Sequence, residues 1–223
     1  MCFSIQIDKD LKKLAANFHA QIAKEEFLRL QDLLAKNPHL NFKTPNEDGK
    51  VFPNYFAPII IAQQESKIIV PMRYRIRPNN SRDEIPIKFN VFNARLDSLE
   101  IRNTWKPLFT RKHGLVPYKR FYEWVEDEKG KKKLISFFPD NNGMMLSPCL
   151  FDYWIDPALN ISFFSFAIIT TEPPKEILDM GHDRCPILLR EENINEWLNI
   201  KDKNRAYELL REQRSEHFQF EWA

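Results

Sequence analysis

The sequence predicts an α+β protein, one domain spanning residues 1–223, with strand-like runs through its middle and helical patterns towards both ends. Two observations carry this expectation. Short runs rich in β-branched and aromatic residues recur at 59–62, 67–70, 121–125, 134–138 and 161–170, whereas apolar residues repeat at helical spacing over 11–34 and 191–214. A chain of 223 residues is within the range of single β-rich domains, and with 43% hydrophobic residues and 18 Phe it can bury a large aromatic core.

Each element has its own justification. Phe3, Ile5 and Ile7 alternate with Ser4 and Gln6, the period of a strand with one buried face. Asp8 is expected to cap a helix presenting Leu11, Leu14 and Phe18, and a second helix carrying Phe27, Leu30 and Leu34 ends at Asn37-Pro38. Residues 39–57 are rich in turn formers and read as a long surface excursion. Between two strand runs, 126–133 holds Asp127, Gly130 and three successive lysines and reads as a solvated hairpin turn. Ile194, Trp197, Leu198, Tyr207 and Leu210 are spaced for one or two terminal helices within 191–214.

Composition narrows the function. With 33 basic and 31 acidic residues the formal net charge is +2, so affinity for nucleic acid must come from a local patch. Cys2, Cys149 and Cys185 are odd in number and lack CxxC spacing, which argues against a disulfide framework or zinc site and fits a reducing cytoplasm. No apolar run approaches the roughly 18 residues of a membrane span, and the charged first fifteen residues do not read as an export signal.

The chemistry concentrates at Cys2. Removing Met1 would leave an α-amine and a thiol on adjacent carbons, and an α-amine titrates near ~7.7–8.0 against ~10.4 for lysine, making it the better carbonyl nucleophile at neutral pH. Once that amine condenses with an aldehyde, the thiol can close a five-membered thiazolidine. Three other residues could move protons or position groups: Asn93 in Phe92-Asn93-Ala94-Arg95, Glu123 among Phe121, Tyr122 and Trp124, and His182 in Gly181-His182-Asp183-Arg184-Cys185-Pro186. Burial among aromatics would raise the Glu123 pKa, and an imidazole titrates near neutrality. Taken singly, each also fits a plain structural role: a glutamate on the wet face of a strand, a turn asparagine, a satisfied loop histidine.

Together with Cys2 these residues resemble the SOS response-associated peptidase family, which includes proteins that shield abasic sites in single-stranded DNA. Met1-Cys2 is similar to the family start, Phe56-Ala57-Pro58 to its Asn-Val-Ala-Pro segment, and Pro71-Met72-Arg73-Tyr74 to its Pro-Met-Arg-Trp-Gly stretch. Asn93-Ala94-Arg95, Leu115-Val116-Pro117 with Phe121-Tyr122-Glu123-Trp124, Ile168-Ile169-Thr170-Thr171, and His182-x-Arg184-x-Pro186 follow in family order. The resemblance covers residues 2 to about 198. It implies a strongly curved β-sheet or barrel with flanking helices, a cleft for single-stranded DNA, and covalent capture of abasic sites at Cys2 supported by Asn93, Glu123 and His182. No cofactor or metal is expected, and a monomer is. The peptidase name reflects removal of residues preceding the cysteine, an activity expected to be secondary here. A processing peptidase and a noncatalytic DNA binder are the alternatives.

Arg73, Arg75 and Arg77 alternate, so on a strand all three would project from one face and could track phosphates. Arg95, Arg102, Arg111, Lys112, Lys119, Arg120 and Arg184 could extend that surface, while Tyr74, Trp105 and Tyr118 could stack on unpaired bases. The bland alternative is an edge strand protected by charge. This chain departs from the family in having Phe3-Ser4 for Gly-Arg, Tyr74-Arg75-Ile76 for Trp-Gly-Leu, Arg120 for a glycine and Cys185 for a methionine. Residues 8–50 are expected to be a helical insertion.

Overall fold

A computed structural model describes residues 3–79, 81–126, 129–212, 214 and 216–223. Cys2, on which the predicted chemistry centres, lies outside the described residues, as do Asp127 and Glu128 of the expected hairpin turn.

The N-terminal strand β1 (Ser4–Gln6) is followed by α1 (Leu11–Phe18), β2 (Ala20–Ile22) and α2 (Lys24–Lys36). The cap of α1 is Asp10, whose side chain accepts from the Lys12 and Lys13 amides, and not Asp8 as the sequence suggested. Asp8 instead accepts from the Asp10 amide and pairs with Lys13 and Lys119, contacts that together hold its carboxyl down to about 2, the backbone bond contributing most. Residues 8–50 are therefore not wholly helical, since β2 adds a parallel strand to the main sheet.

The strands that follow are β3 (Lys50–Val51), β4 (Phe56–Gln63), β5 (Ser66–Tyr74), β6 (Asn93–Arg95), β7 (His113–Tyr118), β8 (Arg120–Glu126), β9 (Lys132–Pro139), β10 (Met145–Asp156) and β11 (Ile161–Thr171). After them come α3 (Lys175–Asp179), β12 (Cys185–Pro186), α4 (Ile194–Asn199), α5 (Lys203–Arg211) and β13 (Phe218–Trp222).

Pairing closes five strands into a ring, β11-β10-β7-β4-β5, because β5 returns parallel to β11 at Met72↔Phe164 through Tyr74↔Phe166. This ring is the barrel implied by the family resemblance. A second sheet, in the order β13-β9-β8-β1-β3, packs against it. Strand alternation divides the core between two clusters. Ile60, Ile69, Leu115 and Ile169 meet α1, α4 and α5 through Leu14, Trp197 and Leu209. Ile59, Val70, Val116 and Ile168 meet Ile5, Phe121, Ile135 and Phe137 of the second sheet.

Two features fix the start of the chain. The Phe3 amide donates to Tyr122 O at 3.0 Å, and Ser4 and Ile5 pair with Tyr122 and Phe121, so β1 is an internal strand of the second sheet. On its other side the Ile7 amide donates to Gly49 O. Gly49 has φ +72°, and a Cβ there would collide with the carbonyl of Ile7, so only glycine fits this approach.

Candidate functional site

Glu123 is on β8 between two residues that face the other way. Phe121 and Val125 share its side of the strand and are buried, whereas Trp124 is half-exposed, so strand alternation turns Glu123 into the space between the sheets. The wet-face reading of Glu123 is thereby excluded: the residue is 1% exposed. Desolvation raises its pKa, and the hydrogen bond from His182 opposes that rise.

His182 reaches Glu123 from the turn after α3, where Gly181 takes φ +86°. Its Nε2 is 3.1 Å from Glu123 Oε2, and its Nδ1 is 2.8 Å from the Arg184 carbonyl. A carbonyl can only accept, so Nδ1 carries a hydrogen; the 3.4 Å approach of the Arg184 amide to the same nitrogen is too long to compete. One proton therefore lies between Nε2 and Oε2, on the acid beside a neutral imidazole or on the imidazole beside a carboxylate. The arrangement suits proton exchange.

β11 sets the flanks of this pair. β6 lies on one side of it, with Asn93 opposite Ile168 and Arg95 opposite Thr170, and β12 on the other, with Pro186 opposite Thr170 and Cys185 opposite Thr171. Asn93 is buried and its Oδ1 accepts a 3.4 Å hydrogen bond from the Tyr74 hydroxyl. The Cys185 thiol donates to the Pro186 carbonyl at 3.0 Å; burial, with the charge of Glu123 adding, pushes it up to about 12, so it is not a nucleophile at neutral pH. A cavity of about 540 Å³ lined by residues including Glu126, Lys133, Gly181 and Trp222 opens beside the His182 turn. Among the described residues no group of three or more His, Cys, Asp or Glu is placed to hold a metal.

The arginine pattern folds differently from the expectation. β5 ends at Tyr74, and Arg75 takes φ +137°, a conformation that favours glycine, so the three guanidiniums do not share a strand face. Arg73 is almost fully buried and pairs twice with Glu84, at 2.5 and 3.2 Å, with its guanidinium against Phe42 and Phe163. Arg75 donates to the Ile85 carbonyl, and Arg77 contacts Glu84 and the Arg82 carbonyl while stacking 3.3 Å from the Trp154 ring centre. All three hold the loop after β5. Tyr74, Trp105 and Tyr118 are buried, which leaves no ring face for an unpaired base. Tyr74 packs on Phe166 and Tyr118 bonds Ser147; core demand outweighed the surface role suggested by their neighbours.

The Arg95 side chain is partly exposed and that of Arg184 largely covered, and both contact Asp97, at 2.5 and 3.6 Å. Arg102 is exposed, and Arg120 is partly covered, bonded to Glu221 and lying over Phe138. Sequence reading missed Asp97 and Glu84. Asp97, two residues after Arg95, was within reach of a local charge search, whereas nothing in the spacing marks Glu84 as the partner of Arg73.

Comparison with known proteins shows the family and the fold. The family described as SOS response associated peptidase (SRAP) matches residues 1–222. The chain is 28% identical over 166 residues to the abasic site processing protein YoqW of Bacillus subtilis, covering 72% of this chain and 73% of that protein. It is 25% identical over 186 residues to the abasic site processing protein HMCES of Pongo abelii, covering 71% of this chain and 52% of that one. The fold is similar to a crystal structure of a protein from Bacteroides thetaiotaomicron, with TM-score 0.73 at 19% identity over 99% of this chain and 91% of that chain.

Proposed function

We propose, because this chain belongs to the SOS response associated peptidase family, that it processes abasic sites in single-stranded DNA by covalent capture at Cys2. The observation that carries the mechanism is the buried Glu123–His182 contact on the strand to which Phe3 is hydrogen-bonded. The Phe3 amide, bonded to the Tyr122 carbonyl, holds the described start of β1 against the neighbour of Glu123.

In this reading the α-amine exposed by loss of Met1 gives a proton to the carboxylate and attacks C1′ of the ring-opened sugar, forming a carbinolamine. Its hydroxyl leaves as water with the proton that His182 and Glu123 share. The Cys2 sulfur then bonds to the imine carbon while the thiol proton passes to nitrogen, so aldehyde and aminothiol give a thiazolidine and one water. Asn93, held by Tyr74, positions the sugar or the terminus. Arg95 and Arg184, gathered by Asp97, together with Arg102 and Arg120, supply contacts for phosphates. The protein acts as a monomer without a cofactor.

Protein whose intact mass confirms loss of Met1 is mixed with abasic single-stranded DNA and run on a denaturing gel after heating. A shifted band is expected from the wild type and none from Cys2→Ala; absence of a wild-type band overturns the reading.

A further inference from the structure

The loop between β5 and β6 is tied down at its base and apolar at its tip. Arg73 and Arg77 hold Glu84, Arg75 holds the Ile85 carbonyl, the Trp154 indole donates to Ser81 O at 2.9 Å, and the Asn79 amide donates to Asp152. On the return, the Ile76 amide donates to Val91 O, and Phe92 packs edge-on against Tyr74. Between these anchors Pro86 to Asn90 form a single 3-10 turn, closed by bonds from the Phe89 amide to Pro86 O and from the Asn90 amide to Ile87 O.

That turn leaves Ile87 69% and Phe89 52% exposed, with the Lys88 ammonium 5.2 Å from the Phe89 ring centre. An apolar pair at the summit of a braced loop is costly in water and gains from a partner. Charge selects that partner. From Ile85 to Leu96 the chain has no acidic residue, and its charged side chains are Lys88 and Arg95. A ring beside a cation, on a stretch of chain without a carboxylate from Ile85 through Asn93, fits an anionic strand whose bases have free faces. Phe89 is four residues before Asn93, at most about 14 Å of extended chain.

We propose that this tip is a stacking platform for an unpaired base flanking the abasic sugar, with Phe89 supplying the ring and Lys88 meeting a neighbouring phosphate. Arg73, Arg75 and Arg77 are then positioning residues that keep the platform in place. The assignment rests on the abasic-DNA reading above, so its test is made on noncovalent binding.

The probe is a single-stranded oligonucleotide carrying a tetrahydrofuran abasic analogue, which has no aldehyde, with 2-aminopurine on one or the other side of it. Stacking worth roughly 1–3 kcal/mol per base corresponds to about a 5- to 150-fold rise in Kd for Phe89→Ala, with Phe89→Trp restoring wild-type affinity. Emission of one 2-aminopurine should fall when wild type binds and stay unchanged with Phe89→Ala. The exposed position leaves the melting temperature unaltered, so a folding defect is distinguishable. A Phe89→Ala Kd within twofold of wild type, or no change in 2-aminopurine emission on wild-type binding, overturns the platform. Failure of the covalent reading shows separately, as wild type forming no band with aldehyde-bearing DNA.

Discussion

His113 offers a sensitive test of the energetics, because nothing about its position is exposed to chance contacts with solvent. Its ring stacks on Trp197 at 4.0 Å, Nδ1 is 2.9 Å from the Trp197 carbonyl, and Nε2 accepts from the Thr110 amide at 2.9 Å. That bonding fixes a neutral imidazole with its hydrogen on Nδ1. Burial lowers its pKa from the usual 6.5 to about 4, opposed by the bond to Trp197. A group whose folded pKa is depressed binds fewer protons folded than unfolded, so its penalty is absent above pH 6.5 and grows as pH falls to about 4. At about 1.36 kcal/mol for each factor of ten, the loss approaches about 3 kcal/mol. For a chain of this size that is about 6–12 °C of melting temperature. His113→Gln can donate to Trp197 O and accept from Thr110 N without titrating. Melting wild type and variant between pH 7 and pH 4 should therefore give a wild-type fall steeper by about that amount. Parallel curves would refute the argument, as would an imidazole resonance of His113 titrating near 6.5.

Replacing Glu84 by Gln strands the buried Arg73 charge; we expect about 3 kcal/mol of destabilisation, read as a urea midpoint, and cleavage between residues 78 and 91 under limited proteolysis. An unchanged midpoint would show that Arg73 does not need its partner. Asp10→Ala removes the α1 cap and should cost about 1 kcal/mol, whereas Asp8→Ala should leave the helix capped; equal helix loss by circular dichroism would contradict the assignment. Glu123 has a raised pKa, so its ionisation disfavours the fold increasingly as pH rises above the ordinary carboxyl range. Glu123→Gln should thus melt no lower than wild type at pH 8 while slowing DNA capture by roughly 10²–10⁴-fold; a variant that captures DNA at the wild-type rate dismisses Glu123 as a proton carrier.

Much of the β-sheet was legible because its strands alternate, but β7, β10 and β13 were not read, nor were the short strands β2, β3, β6 and β12. Pro117 and Pro148 interrupt β7 and β10, and proline normally argues against a central strand. The register resolves this. Pro117 pairs with Leu146 beyond the residues of β7 that meet β4, and Pro148 pairs with Leu115 just before β10 meets β11. Each proline has a strand neighbour on one side, so no ladder bond is lost on the other. β13 was hidden by its mixed surface, since it is an edge strand with exposed Phe220 and Trp222. At the site, the chemical types of Glu123 and His182 marked them, and the fold brings them within 3.1 Å. The arginine alternation misled because a period of two predicts a common face only while the strand continues. Arg75, where the family usually has glycine, turns the backbone at φ +137°, so that Arg73 and Arg77 meet at Glu84 while Arg75 turns to the Ile85 carbonyl.

The join between β5 and β11 links residues 72–74 to 164–166. Such a seam is formed by segments far apart in sequence and must overcome a large loss of chain entropy before it returns any energy, so folding is expected to be slow and governed by this closure. Asn93 and Cys185 are both seated on the same β11 segment just past the seam. In a nascent or partly opened chain Asn93 and the Cys185–Pro186 segment that follows His182 thus lack their common backing strand, and they come to rest against one another's flanks only when the last staves of the ring have locked.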